Sequence, residues 1–259
     1  MSTVETQIVG AVATVTLARP EVKNAMNWEL VDALTEAGRA LARDESVRAV
    51  VVAGAGGTFS SGIDVTTFGA GDGAFDPVSA NVRRFQDAFT VFEELGKPVV
   101  AAVEQHCFGA GFQLALACDL RVVAEDAQLS LMETTWGIIP DLGATVRLPR
   151  LIGLGRAKDL AFTARRFDGA EAYRIGFADR LAPPGRAVEH ARTLAEELAA
   201  GPPLAIAGIK RLMNAAFDVD VPSGLDREVA VQRRVLGSAD FLEAVAARFE
   251  KRPPAFTNR

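Results

Sequence analysis

The sequence is poor in the residues that build metal sites and disulfide frameworks. Among 259 residues it has two cysteines, Cys107 and Cys118, and two histidines, His106 and His190. Their spacing fits neither paired zinc ligands nor a disulfide scaffold, so no metal is expected and a reducing, cytoplasmic compartment is the default. Positive charge is not in excess: 28 Lys and Arg against 33 Asp and Glu leave a net charge of −5. That argues against nucleic acid as the main partner, because phosphate binding wants a basic face. No apolar run approaches the ~20 residues that span a bilayer, so no membrane association is expected. The opening MSTVETQIVG lacks a basic stretch followed by an apolar core, and no signal peptide is expected. Two catalytic signatures are missing as well. No glycine-rich segment ends in Gly-Lys-Ser/Thr, as a P-loop does, and no G-x-S-x-G serine elbow occurs.

What the chain does have is apolar bulk. Hydrophobic residues make up 49% of it, enough for a sizeable core, and the length suits one large domain or one with a small appendage. VETQIVGAVATVTLARP alternates like a hairpin with Gly10 in the turn. Residues 27–44 form an amphipathic helix, with Leu30, Leu34, Ala37 and Leu41 on one stripe and Asn27 as N-cap. VRAVVVAGAG (47–56) is a buried strand entering a Gly-rich loop. Residues 59–77 read as loop and as the most mobile segment. A helix at 79–95 carries Phe85, Phe89 and Phe92 on one side; Phe68, Phe85, Phe89 and Trp136 could line a pocket, while Phe85, Phe89 and Phe92 are equally good core residues at helical spacing. The stretch 98–118 gives a strand, a Gly-Ala-Gly turn and a short apolar helix. LRVVAED and AQLSLME are two more strands. From about 143 the chain is mostly helical, at 143–150, 153–163, 169–176, 185–200, 202–217, 222–236 and 238–249. Strands dominate the first half and helices the second.

Two small-residue loops each follow a buried strand: Ser61-Gly62-Ile63 and Gly109-Ala110-Gly111. They are either tight strand–helix turns or places where a ligand approaches the main chain. Converging, they would offer two N–H donors to one developing oxyanion. GAGFQL (109–114) is a partial dinucleotide fingerprint with Leu114 where the third Gly or Ala belongs, which is a weak match. His106 and Cys107 are adjacent strand residues on opposite faces, so they do not pair. METTWGIIPDLGAT (132–145) places Glu133 and Asp141 around an apolar turn. Asp141 could simply cap a following helix and Glu133 could be a solvated acid at a strand end. In a pocket lined by Trp136, Ile138 and Ile139, either would be desolvated toward its neutral form and suited to proton transfer.

FSSGID, FGAGFQLALACDLRVVAEDAQLSLMETTWGIIPDLGATVRLPRLIG and TARRFDGAEAYRIGFADRL together resemble the enoyl-CoA hydratase/isomerase (crotonase) family. ARPEVKNAMNWEL and FEKRPPAF extend the resemblance over nearly the whole chain. It implies an α/β fold: a spiral of ββα units over residues 1–200 carrying an acyl-CoA site, then a helical oligomerisation region, 201–259, that builds trimers or paired trimers (hexamers). It implies an acyl-CoA thioester as substrate, whose enolate is stabilised by the Ile63 and Ala110 N–H groups, with no cofactor beyond the coenzyme A of the substrate. Lys23 and Ala25 match the segment beside the nucleotide. Ser61, Asp64 and Val65 match the adenine loop, largely through main chain. Phe256 matches a C-terminal aromatic that contacts coenzyme A, sometimes in a neighbouring subunit. Thr257 stands where the family often has a basic residue.

The resemblance also locates a departure. Hydratases of the family use two glutamates; here the later one is Glu133 and the earlier is Gln113. An amide orients water but takes no proton from it. Isomerases that keep only the later glutamate resemble this pattern. Dienoyl-CoA isomerases share the acid at 133 and the aspartate at 141, with a third acid where Gln113 stands. The expectation is therefore double-bond isomerisation by Glu133 with Asp141 as partner and Gln113 as a polar positioning group. Hydration with Gln113 holding water is the alternative. A non-catalytic acyl-CoA binder and a dinucleotide enzyme are rivals of other classes.

Overall fold

The computed structural model describes residues 2–68 and 80–257. Strands β1 (Val4–Val9) and β2 (Val12–Leu17) form the expected hairpin. Helix α1 (Trp28–Arg43) starts where Asn27 accepts the Leu30 N–H at 3.0 Å, and buries Leu30, Val31, Leu34, Gly38 and Leu41. Strand β3 (Ala49–Gly54) is followed, among the described residues up to 68, by short 3-10 turns, the last at Val65–Phe68. The part of the expected mobile loop at 69–77 lies outside the described residues. Helix α2 (Ala80–Glu93) sends Phe85, Phe89 and Phe92 into the core, so none of the three lines a pocket.

Strands β4 (Val99–Val103) and β5 (His106–Phe108) lead into helix α3 (Ala110–Ala117), every residue of which is buried. A helix that is apolar all round but for one residue, Gln113, belongs in the centre of a domain. Strands β6 (Leu120–Ala124) and β7 (Gln128–Ser130) follow, then α4 (Ala144–Ile152) and α5 (Leu154–Thr163). Two short strands interrupt the helical half: β8 (Phe167–Asp168) before α6 (Gly169–Ile175), and β9 (Arg180–Ala182) before α7 (Ala187–Ala199). Helices α8 (Pro203–Asn214), α9 (Val221–Leu236) and α10 (Ala239–Glu250) end the chain.

The main sheet has the order β1-β2-β3-β4-β6-β9, parallel except for the first hairpin. A smaller sheet has the order β5-β7-β8. The near-continuous Val and Ala of β3 and β4 are fully buried, as strands covered on both faces must be. Helix α7 packs on β3, β4 and β6. Its buried Ala187, Ala191, Ala195 and Ala199 recur every fourth residue, a flat face that lets helix and sheet approach closely. The buried Glu104 carboxylate caps this helix by accepting the Gly185 and Ala187 N–H groups. By contrast α8, α9, α10 and the turn between α8 and α9 leave Met213, Phe217, Val221, Leu242 and Phe249 exposed.

Candidate active site

The two small-residue loops meet. Ser60 pairs with Cys107 in an isolated parallel bridge: its carbonyl accepts the Phe108 N–H at 3.0 Å and its N–H donates to His106 O at 2.9 Å. A Cβ on Gly62 would lie 3.1 Å from the Phe108 carbonyl and 3.7 Å from the Ala110 nitrogen, and Gly62 sits at φ 104°. Only glycine allows that approach. Met26 pairs with Ile63 through the flanking residues: it donates to Gly62 O at 2.8 Å and accepts from Asp64 N at 3.0 Å. In a parallel ladder this turns the Ile63 N–H away from Met26. The Ala110 N–H opens α3, where helix geometry provides no acceptor for it. Among the described residues neither N–H has a hydrogen-bond partner.

Gly109 sets the second donor. Its φ 50°, ψ −115° is a backbone state for glycine, and its own N–H is tied to Ser130 O at 3.0 Å. A Cβ there would lie 3.6 Å from Oε1 of Glu133. The Glu133 carboxylate therefore packs directly on the backbone that presents Ala110.

Glu133 opens a 3-10 turn, Glu133–Trp136, and is only 7% exposed, so it is not a solvated strand-end acid. Gln113, one turn into α3, donates from Nε2 to Glu133 Oε1 at 2.7 Å. Its Oε1 accepts both the Leu142 N–H at 2.9 Å and the Ala144 N–H at 3.1 Å. These three bonds fix which end of the amide is which. The other Glu133 oxygen, Oε2, is buried without a partner. Burial pushes the Glu133 carboxyl above its ordinary range, and the nearby Asp141 charge pushes it the same way, against hydrogen bonds from its own N–H and from Gln113.

Asp141 does not cap α4, whose N-cap is Gly143 with no side-chain bond. Its carboxylate has no side-chain partner among the described residues, and burial pushes its pKa up. Its turn is instead held through the backbone. Gln86 donates to Asp141 O at 2.6 Å, and Arg147, paired with Glu93, donates to Leu142 O at 3.0 Å. Gln86, Glu93 and Arg147 were not singled out in the sequence. They come from neighbouring helices, and no local spacing announces them.

The apolar lining expected from Trp136, Ile138 and Ile139 is not found in this chain: Trp136 is 62% and Ile139 68% exposed, with Ile138 also at the surface. The 3-10 turn buries Glu133 and sends the residues after it outward, so α3 and the Gly109 backbone surround the acid. The Phe68 side chain lies outside the described set.

Of the six residues matched to a coenzyme A site, four are laced together. Ser61 donates its N–H to Lys23 O at 2.9 Å, and Arg19 Nη1 joins Ala25 O at 2.6 Å to the Asp64 carboxylate at 2.9 Å. Val65, at the start of the last 3-10 turn, is exposed. Phe256 is not brought to them. Its carbonyl accepts from Arg48 at the far end of β3, about 20 Å of strand away. His106 and Cys107 do point apart, the thiol fully buried and the imidazole part-exposed. No cluster of His, Cys, Asp and Glu among the described residues could hold a metal ion.

The fold and sequence have known relatives. A crystal structure of an enoyl-CoA hydratase from Bacillus anthracis superposes with a TM-score of 0.95 at 32% identity, covering 99% of this chain and 100% of that one. A probable enoyl-CoA hydratase of Rhodobacter capsulatus is 36% identical over 99% of this chain and 98% of its own length. The peroxisomal Delta(3,5)-Delta(2,4)-dienoyl-CoA isomerase of Arabidopsis thaliana is 33% identical over 92% of this chain and 90% of its own length. The enoyl-CoA hydratase/isomerase family model matches residues 7–259. With its crotonase fold and this match along nearly the whole chain, the protein belongs to the enoyl-CoA hydratase/isomerase family of enzymes.

Proposed function

We propose that the enzyme shifts a double bond within an enoyl-CoA thioester. The thioester oxygen accepts from the Ile63 and Ala110 N–H groups, and the positive end of the α3 dipole adds to the same point. Glu133 takes a proton from C2 of a 3-enoyl thioester, and the electron pair moves through the carbonyl carbon onto oxygen as a dienolate. The same carboxyl returns the proton at C4, leaving the double bond between C2 and C3. Asp141, facing the same carboxyl, assists as a second acid. The carrying observation is the Gln113 amide: its oxygen is taken by two backbone N–H groups and its nitrogen holds Glu133, leaving one buried acid with a free oxygen as the proton carrier.

Hydration is the second reading. Gln113 Nε2 has one further hydrogen that could hold a water molecule, and relatives are named hydratases. Incubation with trans-3-hexenoyl-CoA and with trans-2-hexenoyl-CoA in heavy water, followed by mass spectrometry, separates the two. Isomerised or deuterium-exchanged enoyl-CoA without added water supports isomerisation. Gain of a whole water from the 2-enoyl substrate overturns it in favour of hydration.

Coenzyme A is held in this reading by Lys23, Ala25, Ser61, Asp64 and Val65 of one chain, with Phe256 supplied from a neighbouring copy. The exposed apolar residues of α8, α9 and α10 support residues 201–259 as an oligomerisation region, in a trimer or a hexamer. No helix among the described residues is long and apolar enough to cross a membrane. The two cysteines are free buried thiols, in keeping with a reducing compartment such as the cytoplasm.

A further inference from the structure

We infer that Arg19 is a positioning residue that aims the Ile63 N–H by clamping residues 19–26 to the 60–66 loop. The inference rests on the reading of Ile63 as an oxyanion donor. Ile63 lies in no regular element that could orient its amide; its direction depends on the chain beside it. That neighbour is laced to the loop at every step. Ser60 Oγ donates to Asn24 O at 2.8 Å, Ser61 N to Lys23 O, Met26 N to Gly62 O, and Asp64 N to Met26 O. Asn24, buried and at φ 55°, donates from Nδ2 to Ala55 O and Thr58 O and accepts the Arg19 N–H at 3.0 Å.

Arg19 closes the lace with the one charged contact across it. The same nitrogen, Nη1, reaches Ala25 O on one side and Asp64 Oδ2 on the other, and both ion-pair side chains are largely withdrawn from water. Asp64 is the residue after Ile63. Its other oxygen receives the Thr66 N–H and hydroxyl, so the carboxylate is locked at both oxygens. A charge-assisted bond that is part-buried is stronger than a neutral one. Loss of either partner loosens the hold of residues 19–26 on the loop, and with it the Gly62–Ile63 peptide that carries the Ile63 N–H and whose carbonyl is held by Met26 N. Because the Asp64 side chain is fully engaged here, only its main chain is left to meet a ligand.

The test reads carbonyl polarisation directly. A 4-dimethylaminocinnamoyl-CoA thioester, saturating and unreactive as a chromophore, shifts its absorbance to the red when its carbonyl oxygen is hydrogen-bonded. At saturation the peak position reports polarisation and not affinity. The wild-type complex is expected to be red-shifted. R19Q and D64N are each expected to shrink that shift and to lower kcat about 10- to 100-fold, the scale for a misplaced reacting group. K210M removes a buried ion pair with Asp119 and bonds to two carbonyls away from the loop. It is expected to lower the melting temperature and leave the peak in place. A full red shift in R19Q, or in D64N if R19Q does not fold, overturns the clamp alone. An equal loss of shift in K210M overturns it too, by showing that general loosening moves the peak. An unshifted wild-type complex overturns the oxyanion reading and the clamp together.

Discussion

Glu133 and Asp141 are two acids eight residues apart, and the structure treats them differently. Glu133 is held by its side chain: one oxygen on Gln113, the other buried and bare, the whole carboxylate against the Gly109 backbone. Asp141 is held by its main chain, through Gln86, while its carboxylate has no side-chain partner among the described residues. A fixed carboxylate suits a proton carrier that must meet two carbons in turn. A loosely held one beside it suits tuning. The difference predicts an order of mutational effects, and each measurement either sharpens or breaks it.

E133Q stands first. Loss of the acid–base group should cost about 10²–10⁴-fold in kcat with little change in ligand affinity. Its stability should move the other way. The folded-state pKa of Glu133 lies above its ordinary value, so ionisation weakens the native state as pH rises through it. Thermal melts should show E133Q equal to or above wild type at pH 8, with the gap closing toward pH 4. Q113L comes next. It leaves the Leu142 and Ala144 N–H groups and the held Glu133 oxygen unpaired, at about 2–4 kcal/mol of stability, read by denaturant unfolding, with a kcat loss smaller than that of E133Q. D141N should reduce kcat by about tenfold or less. Removing its charge lowers the pKa of Glu133, so the acid limb of the kcat–pH profile should move to lower pH. A loss in D141N exceeding that in E133Q would invert the comparison and make Asp141 the main proton carrier. Q86M is the smallest: one backbone carbonyl loses its donor, about 1 kcal/mol, and the pH profile should stay in place.

Much of this was legible in the chain because it is local. The α1 stripe with its Asn27 cap, the Val50–Val52 run of β3 and the glycines at 62 and 109 each declare themselves within a few residues. Glu133 and Gln113 could be singled out with the help of family resemblance, but their mutual bond could not, since it joins α3 to a turn twenty residues on. Strands β8 and β9 were missed because two or three residues are too few to show alternation; β8 exists as a strand because β7 is there to pair with it. The apolar run at 136–139 read as a pocket wall, yet a 3-10 turn reverses its direction and puts it outside. Arg19 stood in plain view in ARPEVKNA, but an arginine before a proline carries no signal of what lies 45 residues later.

The amide of Gln113 has a consequence for how this sequence can change. Its oxygen is an acceptor for two backbone N–H groups, and a carboxylate would serve those two equally well. Only the third bond, the one it donates to Glu133, would reverse in sense, and a single shared proton would repair it. A one-letter step from Gln113 to Glu thus preserves the scaffold of the turn while placing a second titrating group in contact with the first. The chain sits one hydrogen-bond polarity away from a two-acid site, so drift between these two chemistries needs no refolding and few intermediates.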